Sequence, residues 1–388
     1  MGTLGIYVQV PFCQTKCTYC NFHTGVVTTG RFAPYSGAVC AEIRQRKAFW
    51  NAAGVRVSER DASVDTVYVG GGTPSLLEPQ LLQGMIDAIR EQFECATHQE
   101  VTLEADPETI SIENAPKWVA TGINRISLGT QSFIDDELRA AGRLHRSEDI
   151  YRAVPILRTA GIGNISFDLI AGLPKQTTES WRRSLEESVL LSPEHISIYI
   201  MEIDEGSRLG LEVLQGGTKY SAKDLPAEES MAKFYETAQS LLKRAGYEQY
   251  EISNWAKPKF ASEHNLKYWR REPYFGFGAG AHSFSGSQRW ANAHDAAAYV
   301  DAIGEGRKAI QTLEEVTRDM ALEEELFLGL RQLAGIDLGR IERQYGVDFQ
   351  KKVQELAAGG MIALSGQMMR LPPDKLSVSN EIIVELLR

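Results

Sequence analysis

The sequence predicts an α/β protein: an incomplete (β/α)6 TIM-like barrel, an α+β extension and a small C-terminal winged-helix-like domain. Three observations carry this reading. Six short runs rich in β-branched residues alternate with segments of helical periodicity within residues 1–215. Polar residues and glycines gather at the C-terminal ends of those runs. The pattern then changes near residue 216 and again near residue 313.

In chain order the runs are "GIYVQV" (5–10), "TVYVGGG" (66–72), "VTLEAD" (101–106), "RISLGTQ" (125–131), "NISFDLIAGLP" (164–174) and "HISIYIM" (195–201). Between them, Leu81, Leu82, Met85, Ile86, Ile89 and Phe93 recur at helical spacing and make one apolar stripe. "WRRSLEESVLL" (181–191) behaves similarly. This rhythm reads as right-handed βαβ units around a parallel sheet. The cysteines follow the first strand, and Gly70-Gly71-Gly72-Thr73 ends the second. Glu104, Gln131 and Asp168 sit at or near the ends of the third, fourth and fifth. That edge of a parallel sheet is where active sites are built. Six units are too few for a closed eight-stranded barrel, so an open side able to admit a large ligand is expected.

Residues 216–312 form the extension, with a helix at 231–247 and an aromatic, Gly-rich stretch at 250–286. Residues 313–388 read as helices at 318–332, 337–345 and 350–358 followed by two short strands, "MIALS" and "MMRLP". Residues 317–388 carry 9 Lys+Arg against 11 Asp+Glu, which argues against DNA binding by that shape.

The 388 residues carry a net charge of −10, which argues against broad binding to nucleic acid or anionic membranes. No apolar run is long enough to span a membrane, and no secretory signal is apparent, so a cytoplasmic location is expected. Of the five cysteines, Cys40 and Cys95 are isolated and read as packed thiols. The other three, in "PFCQTKCTYCNF" (11–22), are Cys13, Cys17 and Cys20. Thiolates at this spacing suit a metal centre in a reducing compartment. Three of them would hold a four-iron cluster with one iron left open. A zinc site completed by His23 is the alternative.

At this point the residues resemble the radical S-adenosylmethionine superfamily. "YVQVPFC", "GGGTPS", "RISLGTQSF", "GRLH", "DLIAGLP" and "YEISNWAKPKFASEHNLKYW" resemble its coproporphyrinogen-dehydrogenase-like branch, and most closely the HemW-type haem chaperones. The resemblance implies a 4Fe–4S cluster on Cys13, Cys17 and Cys20, with S-adenosylmethionine chelating the open iron. It implies contacts to that ligand from Tyr7, Tyr19, Gly71, Gly72, Thr73, Glu104, Gln131, Arg143 and Asp168. A carboxylate such as Glu104 can accept from the ammonium group, Asp168 from ribose hydroxyls, and Arg143 can pair with a carboxylate.

Two features separate the branches. The decarboxylating enzymes of this group carry a further cysteine where Phe22 stands, and a longer arm before the first cysteine. The chaperone-type motif HNxxYW matches His264, Asn265, Tyr268 and Trp269. The resemblance implies haem as cargo, with His264 as its iron ligand and Tyr268 on the same helical face. His282 is a second candidate, whereas His23, His98, His145, His195 and His294 receive no ligand role. Asn21 and Ala171 replace a common Asp and Tyr of the pattern. The expected function is haem transfer to an apo-haemoprotein, which can be membrane-bound, by a chain able to form a homodimer. The alternatives are an oxygen-independent coproporphyrinogen III oxidative decarboxylase, or a radical enzyme with another substrate.

Overall fold

The computed structural model describes residues 2–57 and 62–387. The six expected strands are present and parallel: β1 (Gly2–Val10), β2 (Ala62–Gly71), β3 (Cys95–Ala105), β4 (Arg125–Gln131), β5 (Asn164–Ala171) and β6 (His195–Ile200). Residues 248–315 feed six further strands into the same sheet, the last of which crosses the expected boundary at 312/313. They are β7 (Glu248–Glu251), β8 (Asn254–Ala256), β9 (Tyr274–Phe277), β10 (His282–Phe284), β11 (Gln288–Asn292) and β12 (Ile310–Glu315). The order across the sheet is β12-β11-β10-β9-β1-β2-β3-β4-β5-β6-β8-β7.

β9 lies parallel to β1, with Tyr7 opposite Gly276. The parallel core therefore has seven strands, one more than the sequence suggested. "YFGF" is too short and too Gly-rich to read as a core strand, and its partner is remote in sequence. Among the described residues nothing pairs β12 with β7, so the barrel stays open.

Strands covered on both faces must be apolar on both faces. Ile6, Val8, Leu103, Ile126, Phe167 and Ile196 accordingly have essentially no exposure. The covering helices include Phe32–Ala53, Pro79–Gln92, Ser147–Ala160, Thr178–Leu191 and Glu228–Arg244. Thr178–Leu191 shows the local logic. Thr177 caps it by accepting from the Ser180 amide at 3.2 Å, and Trp181, Leu185 and Ser188 fall on one buried face. The Trp181 indole N–H donates to the Phe234 carbonyl at 2.8 Å, locking two outer helices together.

The HNxxYW segment forms the helix Glu263–Trp269, and it closes the N-terminal end of the barrel. The Glu100 carboxylate accepts from the amides of Glu263 and His264, both at 3.1 Å. Lys267, almost fully buried, donates to Thr3 at 2.9 Å and to Asp65 at 3.0 Å. Thr3 and Asp65 lie near the beginnings of β1 and β2, and Glu100 lies level with them across the sheet, so this helix sits at the end opposite the cysteine loop.

The last 70 or so residues build a separate apolar cluster around Leu326, Leu330, Ile341, Met369 and Ile383. Helices Arg318–Leu330, Leu338–Tyr345 and Gln350–Ala358 surround it, with a sheet in the order β13 (Ile336–Asp337), β15 (Met368–Arg370), β14 (Ala363–Ser365). A fourth helix, Ser379–Leu387, joins the expected three and buries Ile382, Ile383 and Leu386. The unit is tied to the barrel by Arg331, which pairs with fully buried Glu251 at 2.7 Å and lies over the Trp269 ring.

Ile341 is completely enclosed in the second cluster. Ile341→Ala should lower the stability of that unit by roughly 2–5 kcal/mol. Urea unfolding would show it as an earlier transition, and an unmoved midpoint would mean the cluster is not a packed core.

Candidate functional site

The cysteine loop leaves β1 at Pro11 and is pinned from both sides by backbone bonds. Gly25 N–H donates to Pro11 O at 2.8 Å, Thr18 N–H to Ala141 O at 3.0 Å, and Leu209 N–H to Thr18 O at 2.7 Å. The end of β2 holds the loop's first residues in place. Gly72 N–H donates to Val10 O at 2.8 Å and Thr73 N–H to Phe12 O at 2.7 Å. Gly72 has no room for a side chain: a Cβ there would stand 2.4 Å from Phe12 O and 2.9 Å from Cys13 Sγ. Gly71 has φ +118°, a conformation that favours glycine. Thus the glycines let two strand ends come together, and the three free thiols face one cavity of about 510 Å³.

Carboxylates line the same cavity. Glu104 accepts from Gly71 N–H and from Tyr68 O–H, both at 2.9 Å. Burial, partly offset by the Gly71 hydrogen bond and aided by the nearby Asp168 charge, pushes its pKa up to about 7. Asp168 accepts from Ser127 Oγ at 3.0 Å, and burial lifts it to about 6. Asp106 pairs with Arg143 and accepts from Thr73 Oγ1 at 3.1 Å. Arg143 also donates to Gly129 O at 3.0 Å and reaches Cys17 Sγ at 3.5 Å. His145 accepts from Arg143 Nε at 3.4 Å, and burial together with that cation drops its pKa to about 3. Burial also pushes the Cys13 and Cys20 thiols up. The walls bring Glu104, Asp106, Glu108, Asp168, Glu202 and Asp204 against Lys16 and Arg143, six carboxylates to two cations. Such a cavity favours a cationic ligand.

Eleven residues expected at the site wall this one cavity: Cys13, Cys17, Cys20, Tyr19, Gly71, Gly72, Thr73, Glu104, Gln131, Arg143 and Asp168. Gln131 adopts φ +61°, a strained setting for a non-glycine residue at the end of β4. Two expected residues lie elsewhere. Tyr7 is one layer deeper, stacked 6.0 Å from Tyr68 with its hydroxyl donating to Gln9. His264 is helical as expected and shares a face with Tyr268, but it is only 1 % exposed. Its Nδ1 bonds Thr66 Oγ1 at 2.8 Å and its Nε2 bonds the Tyr268 hydroxyl at 2.9 Å. Burial holds it neutral, with a pKa of about 3. With both ring nitrogens engaged, it offers no lone pair to an iron in this conformation.

Asp106, Ser127 and Tyr199 belong to the site but were not singled out from the sequence. Asp106 ends "VTLEAD", so the strand-end rule that selected Glu104 covers it too. Ser127 lies within β4, and only the pairing of β4 with β5, which sets it opposite Ser166, brings its hydroxyl to Asp168.

The donor set fits an iron–sulfur cluster better than zinc. His23, the fourth ligand a zinc site would need, turns its ring to His294 with centroids 4.3 Å apart. Among the described residues no three His, Cys, Asp or Glu side chains converge as they would on one ion. Three thiols spread around one cavity suit a larger inorganic body.

Comparisons with known proteins bear on this arrangement. Residues 7–187 match the family model described as the radical SAM superfamily, and residues 316–374 match the HemN C-terminal domain. The protein named heme chaperone HemW in Bacillus subtilis (strain 168) is 34% identical over 97% of each chain. The Lactococcus lactis protein of that name is 32% identical over 89% of this chain and 86% of its own. A bovine protein named radical S-adenosyl methionine domain-containing protein 1, mitochondrial, is 30% identical over 98% of this chain and 87% of its own. Among solved structures, coproporphyrinogen III oxidase (HemN) from Escherichia coli superposes with TM-score 0.83 at 22% identity, covering 99% of this chain and 90% of that one. That likeness is one of fold.

Gly72→Ala should dislodge the Phe12–Cys13 segment and sharply reduce the iron and sulfide bound per chain after anaerobic reconstitution. Full incorporation in that variant would show that the close strand approach is dispensable.

Proposed function

Because the chain belongs to the HemW-type family of radical S-adenosylmethionine proteins, we propose that it binds haem and passes it to apo-haemoproteins. In this reading Cys13, Cys17 and Cys20 hold a 4Fe–4S cluster and S-adenosylmethionine occupies the cavity beside it. The observation that carries it is the near full-length likeness to proteins named heme chaperones, joined to a cavity where three thiols meet an acidic wall.

When bound, the cluster supplies one electron and an iron open to chelation. The chain's own residues do the rest. Gly71 and Gly72 let the backbone approach the ligand, and Glu104 offers its carboxylate to the ammonium group. Arg143 neutralises Asp106 beside Cys17 and can receive the ligand's carboxylate. Asp168, held by Ser127, suits a ribose hydroxyl. Phe22, 66 % exposed at the mouth, puts an apolar ring where the decarboxylating branch has a cysteine. That favours a carrier over a decarboxylase.

No helix among the described residues is long and apolar enough to cross a membrane. The acceptor, whether free or membrane-bound, is reached from the cytoplasm in this reading, and a homodimer is compatible with it.

Two measurements test the reading. The reconstituted protein should shift the haem Soret band and deliver haem to an apo-haemoprotein, while leaving coproporphyrinogen III unchanged in the presence of S-adenosylmethionine and reductant. Formation of protoporphyrinogen would make the decarboxylase the correct reading.

S-adenosylmethionine affinity should rise with pH. Glu104, the carboxyl offered to the ammonium group, is raised to about 7 and must ionise to receive that cation. Below that value the proton it must give up costs about tenfold in affinity per pH unit. Equilibrium dialysis from pH 5.5 to 8 should show the rise, and Glu104→Gln should flatten it. A flat wild-type profile would remove Glu104 from the ligand contacts.

A further inference from the structure

A buried side-chain hydroxyl normally donates to a partner, and one that does not calls for an explanation. At the thiol cavity that hydroxyl belongs to Thr24. Its Oγ1 is buried and meets no hydrogen-bond partner among the described residues, although the side chain walls the cavity together with Cys13, Cys17 and Cys20.

The return arm of the cysteine loop holds Thr24 through contacts that do not involve the thiols. Thr24 N–H donates to Phe22 O and Gly25 N–H to Pro11 O, each at 2.8 Å. Gly25 and Val26 pair in parallel with Phe12 and Cys13. One residue before Thr24, the His23 ring packs on that of His294 from the sheet extension, with centroids 4.3 Å apart. Residue 24 is therefore set alongside Cys13 by the backbone and by its neighbours.

From that position the hydroxyl reaches two sulfurs. Burial pushes the Cys13 and Cys20 thiols up, and at each of them the Thr24 hydroxyl pulls the other way. Thr73 is the other hydroxyl beside Cys13, but its proton goes to Asp106 Oδ2 at 3.1 Å. Cys17 has a donor of its own in Arg143, whose guanidinium lies 3.5 Å from the sulfur. Thr24 thus keeps an uncommitted proton between Cys13 and Cys20, the two thiols that Arg143 does not serve.

We propose that Thr24 donates its hydroxyl proton to the cluster-bound thiolates of Cys13 and Cys20 and thereby raises the reduction potential of the cluster. A hydrogen bond to a cluster sulfur stabilises the more negative, reduced state, which is how a protein tunes such a centre. The orphaned hydroxyl gains its acceptor when the thiols become thiolates. This role rests on the cluster reading given above and adds the side chain that sets its potential.

A redox titration followed by electron paramagnetic resonance tests it, on the full-length protein reconstituted anaerobically without S-adenosylmethionine. Thr24→Val keeps the shape of the side chain and removes the donor. At a fixed applied potential its ratio of reduced to oxidised cluster should be about tenfold lower than in the wild type, or about 59 mV for one electron. Thr24→Ala should shift the same way, whereas Thr24→Ser keeps the hydroxyl and should stay at the wild-type potential. Wild-type potentials in Thr24→Val and Thr24→Ala at full iron content would overturn the role. An equal shift in Thr24→Ser would also overturn it, by tracing the effect to packing. A wild-type chain that takes up no four-iron cluster would instead overturn the cluster reading itself.

Discussion

Everything at the thiol end of this barrel depends on how closely the exits of β1 and β2 approach. Two backbone bonds set that approach, Gly72 N–H to Val10 O and Thr73 N–H to Phe12 O. They form only because residue 72 has no side chain, since a Cβ would collide with the Phe12 carbonyl. The contact fixes where Cys13 begins the loop. It also orients Gly71 N–H toward Glu104, so the loop and the acidic wall are positioned by one constraint.

The electrostatics follow from that geometry. Crowding carboxylates at the ends of adjacent strands removes them from water, and burial raises Glu104 and Asp168 toward neutrality. Arg143 counters part of this by pairing with Asp106 and lying near Cys17. His145 stays neutral beneath it and accepts one of its N–H groups. The result is a partly compensated acidic cavity whose charge a cationic ligand would complete.

The two ends of the barrel do different work. At the thiol end the carboxylates and Arg143 are held by hydrogen bonds yet still line a cavity. At the opposite end the helix Glu263–Trp269 is a plug: Glu100 receives its first amides, Lys267 is sealed among Thr3, Asp65 and Glu272, and His264 is bonded through both nitrogens. An HNxxYW motif read in one dimension suggests an exposed imidazole beside aromatics. In three dimensions the same residues satisfy one another, while His23, His98, His282 and His294 lie exposed.

Much of the fold and site was legible in the chain. Short β-branched runs and a period of 3.6 revealed six parallel strands and their helices, because a strand covered on both faces is apolar throughout and a helix is buried along one stripe. CxxxCxxC announced a thiolate centre because its spacing is local, and the strand-end residues pointed to one rim because parallel strands carry their C-terminal ends to the same side. What the tertiary structure alone decided were relations between residues distant in sequence. β9 became a seventh parallel strand only by lying beside β1, Ser127 joined the site through its hydrogen bond to Asp168 on the neighbouring strand, and His264 had its two ring nitrogens, one donor and one acceptor, engaged by Thr66 and Tyr268. Local spacing encodes which groups a segment offers. Whether a group is free to act depends on what the fold packs against it, and no single stretch of sequence contains that information.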